Sequence, residues 1–158
     1  MIRIRLLKRL GRNGFNLVEM MTVIAIISIL TAISVPNYNA FRKKAQYAVL
    51  ETTLHHLMDG QDLYLMENSR FYPEKGKIKI AKGAYKQINK LAYTFPKGHA
   101  HQYRIRGFNN KKNNRYIIDV WSDYDFNGNG KKDRIQVITW LKNGQIYKNN
   151  DRKIRHWK

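Results

Sequence analysis

The longest apolar run in the chain lies near its start. From Phe15 to Val35, FNLVEMMTVIAIISILTAISV, Glu19 is the only charged residue. At 1.5 Å rise per residue a helix of this length spans roughly 31 Å, enough to cross a bilayer. Pro36 follows, and proline bends rather than ends a helix that neighbours support. From Ala40 onward the period changes. Tyr47, Leu50, Leu54, Leu57 and Tyr64 or Leu65 recur at three- and four-residue steps, while Arg42, Lys43, Lys44 and Glu51 fall largely elsewhere. Asn68 and Ser69 are weak helix formers, and Pro73 prevents continuation. The pattern predicts one helix of about fifty residues from Phe15. Its first part, 15–36, is apolar all round, and its second, 37–73, has one face that must bury against a sheet.

Beyond Pro73 the chain reads as a head, 74–158. Residues 75–100 lack a sustained period, with KIKIAK as a short strand. Four later segments alternate or are β-rich: His101–Phe108, Arg115–Trp121, Arg134–Lys142 and Gln145–Lys148. NNKKNN turns the first pair, and Asn143-Gly144 is a strong two-residue hairpin signal for the last. The class is therefore α+β: a long N-terminal helix packed on a C-terminal antiparallel β-sheet. The tail NNDRKIRHWK is expected to be loose unless Trp157 docks.

Charge adds direction to this picture. The 158 residues include 30 Lys and Arg against 11 Asp and Glu, a formal net charge of +19, and no Cys. The size limits the chain to one modest domain, and the lack of Cys excludes disulfides, thiolate metal sites and a cysteine nucleophile. Arg3, Arg5, Lys8, Arg9 and Arg12 precede the apolar run with no acid among them. This excess predicts a cytoplasmic N-terminus, with everything after Pro36 translocated. Gly14, a potential cleavage point, lies before the apolar run. A cut there removes only the basic leader, 1–14, and leaves the apolar helix as the mature N-terminus, the reverse of a secretory signal.

KRLGRNG-FNLVE followed by a continuous apolar helix resembles the signal shared by type IV pilins and the pseudopilins of type II secretion systems. Gly14, Phe15, Asn16, Leu17, Val18 and Glu19 occupy the places of that motif, with Asn16 where Thr or Ser is more usual. Pro36 and the Tyr-Pro ending also match. The resemblance implies a pilin-like fold, cleavage after Gly14 by a membrane prepilin peptidase, N-methylation of Phe15, an inner-membrane assembly platform and self-assembly into a helical filament. It further implies a single-pass inner-membrane protein before assembly, with a periplasmic or extracellular head. A carboxylate four residues into a membrane helix costs about 2.5–3.5 kcal/mol and demands a partner. The α-amine freed at Phe15 of a neighbouring subunit supplies one, which makes Glu19 an assembly residue. The alternative is that Glu19 sits at the interface within reach of water.

Two features of the head carry chemistry. In SDYDFNGNGKKDRI, Asp125, Asn127, Asn129 and Asp133 stand at positions 1, 3, 5 and 9 of D-x-N-x-N-G-x-x-D, with Gly130 at position 6. Alternate oxygens of a tight loop, with the Lys131 carbonyl, suit a calcium ion, and Asp123 could add a third carboxylate. The ion-free reading of this 123–133 loop is an Asx- and Gly-rich turn. From Lys75 to Ile118 there are twelve Lys or Arg and no acid, interleaved with Tyr85, Tyr93, Phe95, Tyr103, Phe108 and Tyr116. Lys75, Lys77, Lys79, Lys82, Arg104, Arg106, Lys111 and Lys112 are candidate contacts for DNA or another anionic polymer, as in a minor, competence-type pilin. The alternative places the aromatics in the core and the lysines on a solvated face.

Catalysis has no comparable support. His55, His56, Asp59 and Asp62 lie on one predicted helix, but two such side chains on a face do not make a metal site. His99 and His101 have no nearby acid or Ser constellation. A G-x-S-x-G elbow and a Gly-rich phosphate loop are missing. The expectation is a structural subunit and not an enzyme.

Overall fold

A computed structural model describes residues 14–110, 113–142 and 145–148. The leader before Gly14, Lys111 and Lys112, the Asn143-Gly144 turn and the tail with Trp157 lie outside these residues. Two compact units divide between Ala40 and Phe41, inside a single helix, α1, Leu17–Asn68.

In the first unit every described residue, Gly14 to Ala40, is exposed. The exposed side chains are those of Phe15, Leu17, Val18 and a succession of Ile, Met, Val and Leu. By length and composition this helix is able to cross a membrane. Three of its hydroxyls suit that setting. Thr22, Ser28 and Thr31 each donate to the carbonyl four residues back, at 2.9, 2.7 and 2.9 Å. None of these groups needs water or a partner helix to be satisfied.

In the second unit α1 has a core face. Leu50, Leu54, Leu57, Tyr64 and Leu65 are buried, and Tyr47 packs at the edge of the same cluster. Truncating a sealed residue such as Leu57 to alanine removes about 2–5 kcal/mol. Asn68 is the last helical residue. Ser69 turns into the left-handed region, with φ 55°, while its N–H still reaches the Leu65 carbonyl at 2.7 Å. Residues 69–76 therefore run outside the helix. They are tied down by two amides. Buried Gln61 accepts from the Tyr72 N–H at 2.9 Å and donates to the Tyr72 carbonyl. Asn109 accepts from the Phe71 N–H at 2.7 Å and donates to the Phe71 carbonyl at 2.9 Å.

The strands are β1 Lys77–Ile80, β2 Lys86–Ile88, β3 Tyr93–Phe95, β4 Gln102–Asn110, β5 Asn113–Trp121, β6 Arg134–Lys142 and β7 Gln145–Lys148. Five form an antiparallel sheet in the order β1-β4-β5-β6-β7, and β2 pairs only with β3. The small β2–β3 pair, with a 3-10 turn at Asn89–Leu91 between its strands, lies in the region where no period was legible. In the large sheet Ile80, Tyr103, Ile105, Tyr116, Ile118, Val120, Ile135 and Val137 join the helix residues in one core. The intervening residues of β1, β4, β5 and β6 point to the other face, as the period of two requires.

Gly60 marks a close approach of backbone to α1. A Cβ there would fall on the Leu91 carbonyl oxygen, well inside contact distance. Alanine is the better helix former by about 1 kcal/mol, but forcing atoms into packed backbone costs about 1–3 kcal/mol. Gly60→Ala is expected to lower the urea midpoint of the full chain in detergent. An increase would contradict the contact.

Candidate functional site

At the N-terminus Asn16 precedes the first helical residue, and its carbonyl accepts from the Met20 N–H at 3.1 Å. Its side-chain oxygen lies 3.4 Å from the Val18 N–H, and Glu19 reaches back to the Asn16 N–H, also at 3.4 Å. This is a capping box built on Asn instead of Ser or Thr. Asn16 therefore serves the same physical purpose as the more usual residue at that place. Gly14 and Phe15 lie just outside the cap and are exposed, Phe15 at 71%. An α-amine at Phe15 would sit where the helix dipole disfavours a cation, one turn from the Glu19 carboxylate.

The 125–133 loop is closed by its own donors. Asp125 accepts from the N–H groups of Gly128 at 2.7 Å, Asn129 at 3.2 Å and Gly130 at 2.8 Å. Asn127 and Asn129 accept from the N–H two residues on, at 3.0 and 2.8 Å. Buried Asp133 accepts from the Phe126 N–H at 2.7 Å and the Asn127 amide at 3.1 Å. Gly128 and Gly130 both have φ of 78°, which a side chain would strain. Burial pushes the Asp125 carboxyl up, but the three loop N–H groups outweigh it and the net shift is downward. The four side chains are thus gathered in one turn. Asp123 is not among them, because Lys82 and Lys132 both bind it. Those two ammonium groups hold its pKa down to about 2. Among the described residues no group of three or more His or acidic side chains comes together to hold a metal. A cation in this loop would depend on amide and carbonyl oxygens for the rest of its shell.

The basic residues separate into two groups. Lys82 is engaged with Asp123, and Lys75 is exposed in the segment before β1. Lys77 and Lys79 on β1 lie opposite Arg106 and Arg104 on β4, on the sheet face away from the core. The same face carries Arg115 and Arg134, which lie outside the set expected from sequence. At its centre is Asp119, fully buried, accepting from Arg104 Nε at 3.2 Å, Arg106 Nη2 at 2.8 Å and Arg134 Nη2 at 2.8 Å. Gln136 donates to it as well, at 2.6 Å. Trp121 takes a guanidinium from each neighbouring strand, Arg104 at 4.6 Å and Arg134 at 4.7 Å. Phe108 is contacted by Arg115 at 5.0 Å and Arg106 at 6.0 Å. The aromatics expected to alternate with these cations mostly go elsewhere: Phe95, Tyr103 and Tyr116 are in the core. Period-two alternation in β5 and β6 was the signal that could have placed Arg115, Asp119, Trp121 and Arg134 together.

Three of the histidines make packing or backbone contacts. His56 stacks on Tyr93 at 5.8 Å. His99 donates from Nε2 to the Ala84 carbonyl at 3.1 Å. His101 is buried and reaches the Gln46 carbonyl at 3.4 Å, and burial lowers its pKa.

An N-terminal apolar helix, capped beside a small exposed glycine and continuing into a small antiparallel head, defines the α+β, helix-anchored class of subunit. Over 135 residues the chain is 30% identical to type II secretion system core protein G of Vibrio cholerae, covering 85% of this chain and 83% of that protein. Over 59 residues it is 39% identical to the type IV wide pilus major component PilA4 of Thermus thermophilus, covering 37% of this chain and 45% of that protein. It is 36% identical over 73 residues to the type IV major pilin protein PilA of Myxococcus xanthus, at 40% and 33% coverage. The chain thus spans less than half the length of these two pilins. The protein belongs to the type IV pilin and type II secretion pseudopilin family, a family of structural subunits rather than enzymes. No family model and no solved structure matches it.

Asp119 generates a prediction with a sign. Burial raises its pKa, yet the bonds from Gln136 and Arg134 and the charges of Arg106 and Arg134 outweigh this and hold it below the ordinary 3.8. The unfolded chain therefore binds that proton more readily. The stabilisation is complete above the ordinary value and is lost as pH falls through the lower, folded one. Asp119→Ala leaves guanidiniums unpaired and is expected to remove about 3–5 kcal/mol at neutral pH. In denaturant titrations the difference from wild type should shrink once the pH drops below about 4. A difference independent of pH would show that packing, not charge, sets the loss.

Proposed function

We propose that this chain is a structural subunit of a pilus or type II secretion filament, cut after Gly14 by a prepilin peptidase that also methylates Phe15. The observation that carries this reading is the first unit of α1, whose residues are all exposed and, from Leu17 to Val35, carry Glu19 as the one charge among mostly apolar side chains. Such a surface is stable only in lipid or against other helices of the same kind. Before assembly the helix is a single-pass anchor in the inner membrane, with the head in the periplasm. An assembly platform then extracts it and the helices pack into a filament core. Glu19, placed on the first turn by the Asn16 cap, neutralises the Phe15 amine of the next subunit.

A second property, capture of an anionic polymer by the head, is favoured by the outer sheet face, where cations outnumber the single buried acid. The 125–133 loop takes a calcium ion as a clip. This reading is supported by the placement of Asp125, Asn127, Asn129 and Asp133 in one turn, with Lys131 at the motif position that would supply a carbonyl.

Intact-mass spectrometry of the native protein is expected to find a chain starting at methylated Phe15. Gly14→Val should leave the leader attached, while Glu19→Ala should be processed normally but yield no filaments by electron microscopy. A mature chain starting at Met1, or downstream of the apolar run, would end the filament reading. For the loop, calcium should raise the melting temperature of the full chain in detergent, and Asp125→Asn should remove the increase. An unchanged midpoint in excess EGTA would retire the ion.

A further inference from the structure

We infer that the outer face of the sheet is a binding surface for duplex DNA, contacted through its phosphates without regard to sequence. The inference deepens the anionic-polymer reading of the head and is independent of the filament reading.

Among the described residues seven cations share this face: Lys77 and Lys79 on β1, Arg104 and Arg106 on β4, Arg115 on β5, and Arg134 and Lys142 on β6. Neighbouring strands are about 5 Å apart and alternate residues along a strand about 7 Å, so the cations form a grid and not a scattered halo. Asp119 is the one acid at the centre of this grid. It takes one N–H donor from each of Arg104, Arg106 and Arg134, and a guanidinium has five such donors. One carboxylate therefore positions three guanidiniums while neutralising a single charge.

The aromatic rings fix the planes of these groups. Trp121 is engaged by Arg104 and Arg134, and Phe108 by Arg106 and Arg115. Such contacts contribute about 0.5–2 kcal/mol each and reduce the rotamer entropy lost when a planar fork meets an anion. They also occupy the rings. Single-strand capture depends on bare aromatic faces for base stacking, and Trp121 and Phe108 already carry cations. The partner that fits is one read by its charge alone. Duplex DNA carries one charge per about 1.7 Å of axis, closer together than the grid's cations at about 5–7 Å, so a few base pairs offer a phosphate to each of them. A polyuronate, at one carboxylate per sugar on a single strand, is sparser.

The far side of this unit differs. Between Lys44 and Arg70, α1 carries Glu51, Asp59, Asp62 and Glu67 and no Lys or Arg. Approach of a polyanion is thus directed to the sheet face, with an on-rate that salt will suppress.

The test uses the full chain in detergent and fluorescence anisotropy with a short mixed-sequence duplex, the matching single strand and a polyuronate of equal total charge. Three variants are compared. The first is the triple substitution Lys77→Gln, Lys79→Gln, Arg115→Gln, which leaves the Asp119 contacts intact. The second changes the same residues conservatively, with both lysines to arginine and Arg115→Lys. The control removes three exposed cations elsewhere, Lys44→Gln, Lys86→Gln and Lys90→Gln. Circular dichroism melts confirm that each is folded. Wild type should bind the duplex most tightly, losing affinity steeply between about 50 and about 200 mM salt. The first variant should bind at least tenfold more weakly at low salt, with a salt slope shallower by about one per cation removed. The conservative variant should retain binding and the control should stay within about twofold of wild type. Equal losses in the first variant and the control would reduce the effect to bulk charge and overturn the site. Tighter binding of the single strand or the polyuronate would overturn the duplex assignment alone. No binding of any of the three polymers would remove the anionic-polymer reading as well.

Discussion

One helix has to be compatible with two surroundings, and the rest of the molecule follows from where it changes over. Up to Ala40 every residue of α1 is exposed, and most are apolar. From Leu50 the helix has a stripe that β4, β5 and β6 cover with Tyr103, Ile105, Tyr116, Ile118, Val120, Ile135 and Val137. The sheet therefore stabilises only part of the helix. The remaining part is left to lipid or to copies of itself, which is the physical content of membership in a filament-forming family. The hydroxyls of Thr22, Ser28 and Thr31, folded back on their own backbone, are consistent with a surface that changes its apolar neighbours without ever being hydrated.

Much of this was legible in the order of residues. The apolar run, the switch to a three-four period after Ala40 and the four β-rich segments each rest on patterns repeated over seven or more residues or on a strong turn, and such patterns survive any tertiary context. The β2–β3 pair was not legible because each strand has three residues and bonds only to the other, too short for a period to show. The end of α1 at Asn68 depends on Ser69 adopting a left-handed conformation, which no local pattern requires of serine.

The site divides in the same way. The expectation around Gly14 rests on a contiguous motif, and the structure adds a reason for Asn16 that the motif alone lacks: it caps the helix. The basic residues read poorly because what matters about them is register. Lys82 and Arg104 look alike in sequence, yet one is drawn off to Asp123 and the other lies over Trp121 beside Asp119. Arg134 is remote along the chain and joins Asp119 only because β6 is the neighbour of β5. Long-range pairing decides which cations share a surface, and composition does not contain it.

The burial of Asp119 has a consequence for how the sheet is assembled. Side chains alternate between faces, so a slip of one residue in β5 would turn Asp119 toward the apolar core and carry Tyr116 out of it. A lone carboxylate moved into hydrocarbon, with three guanidiniums stranded behind it, is far less stable than any mispaired apolar side chain. The acid thus works as a proofreading device for strand alignment. It excludes the offset arrangements that repeated Ile and Val residues would otherwise permit during folding.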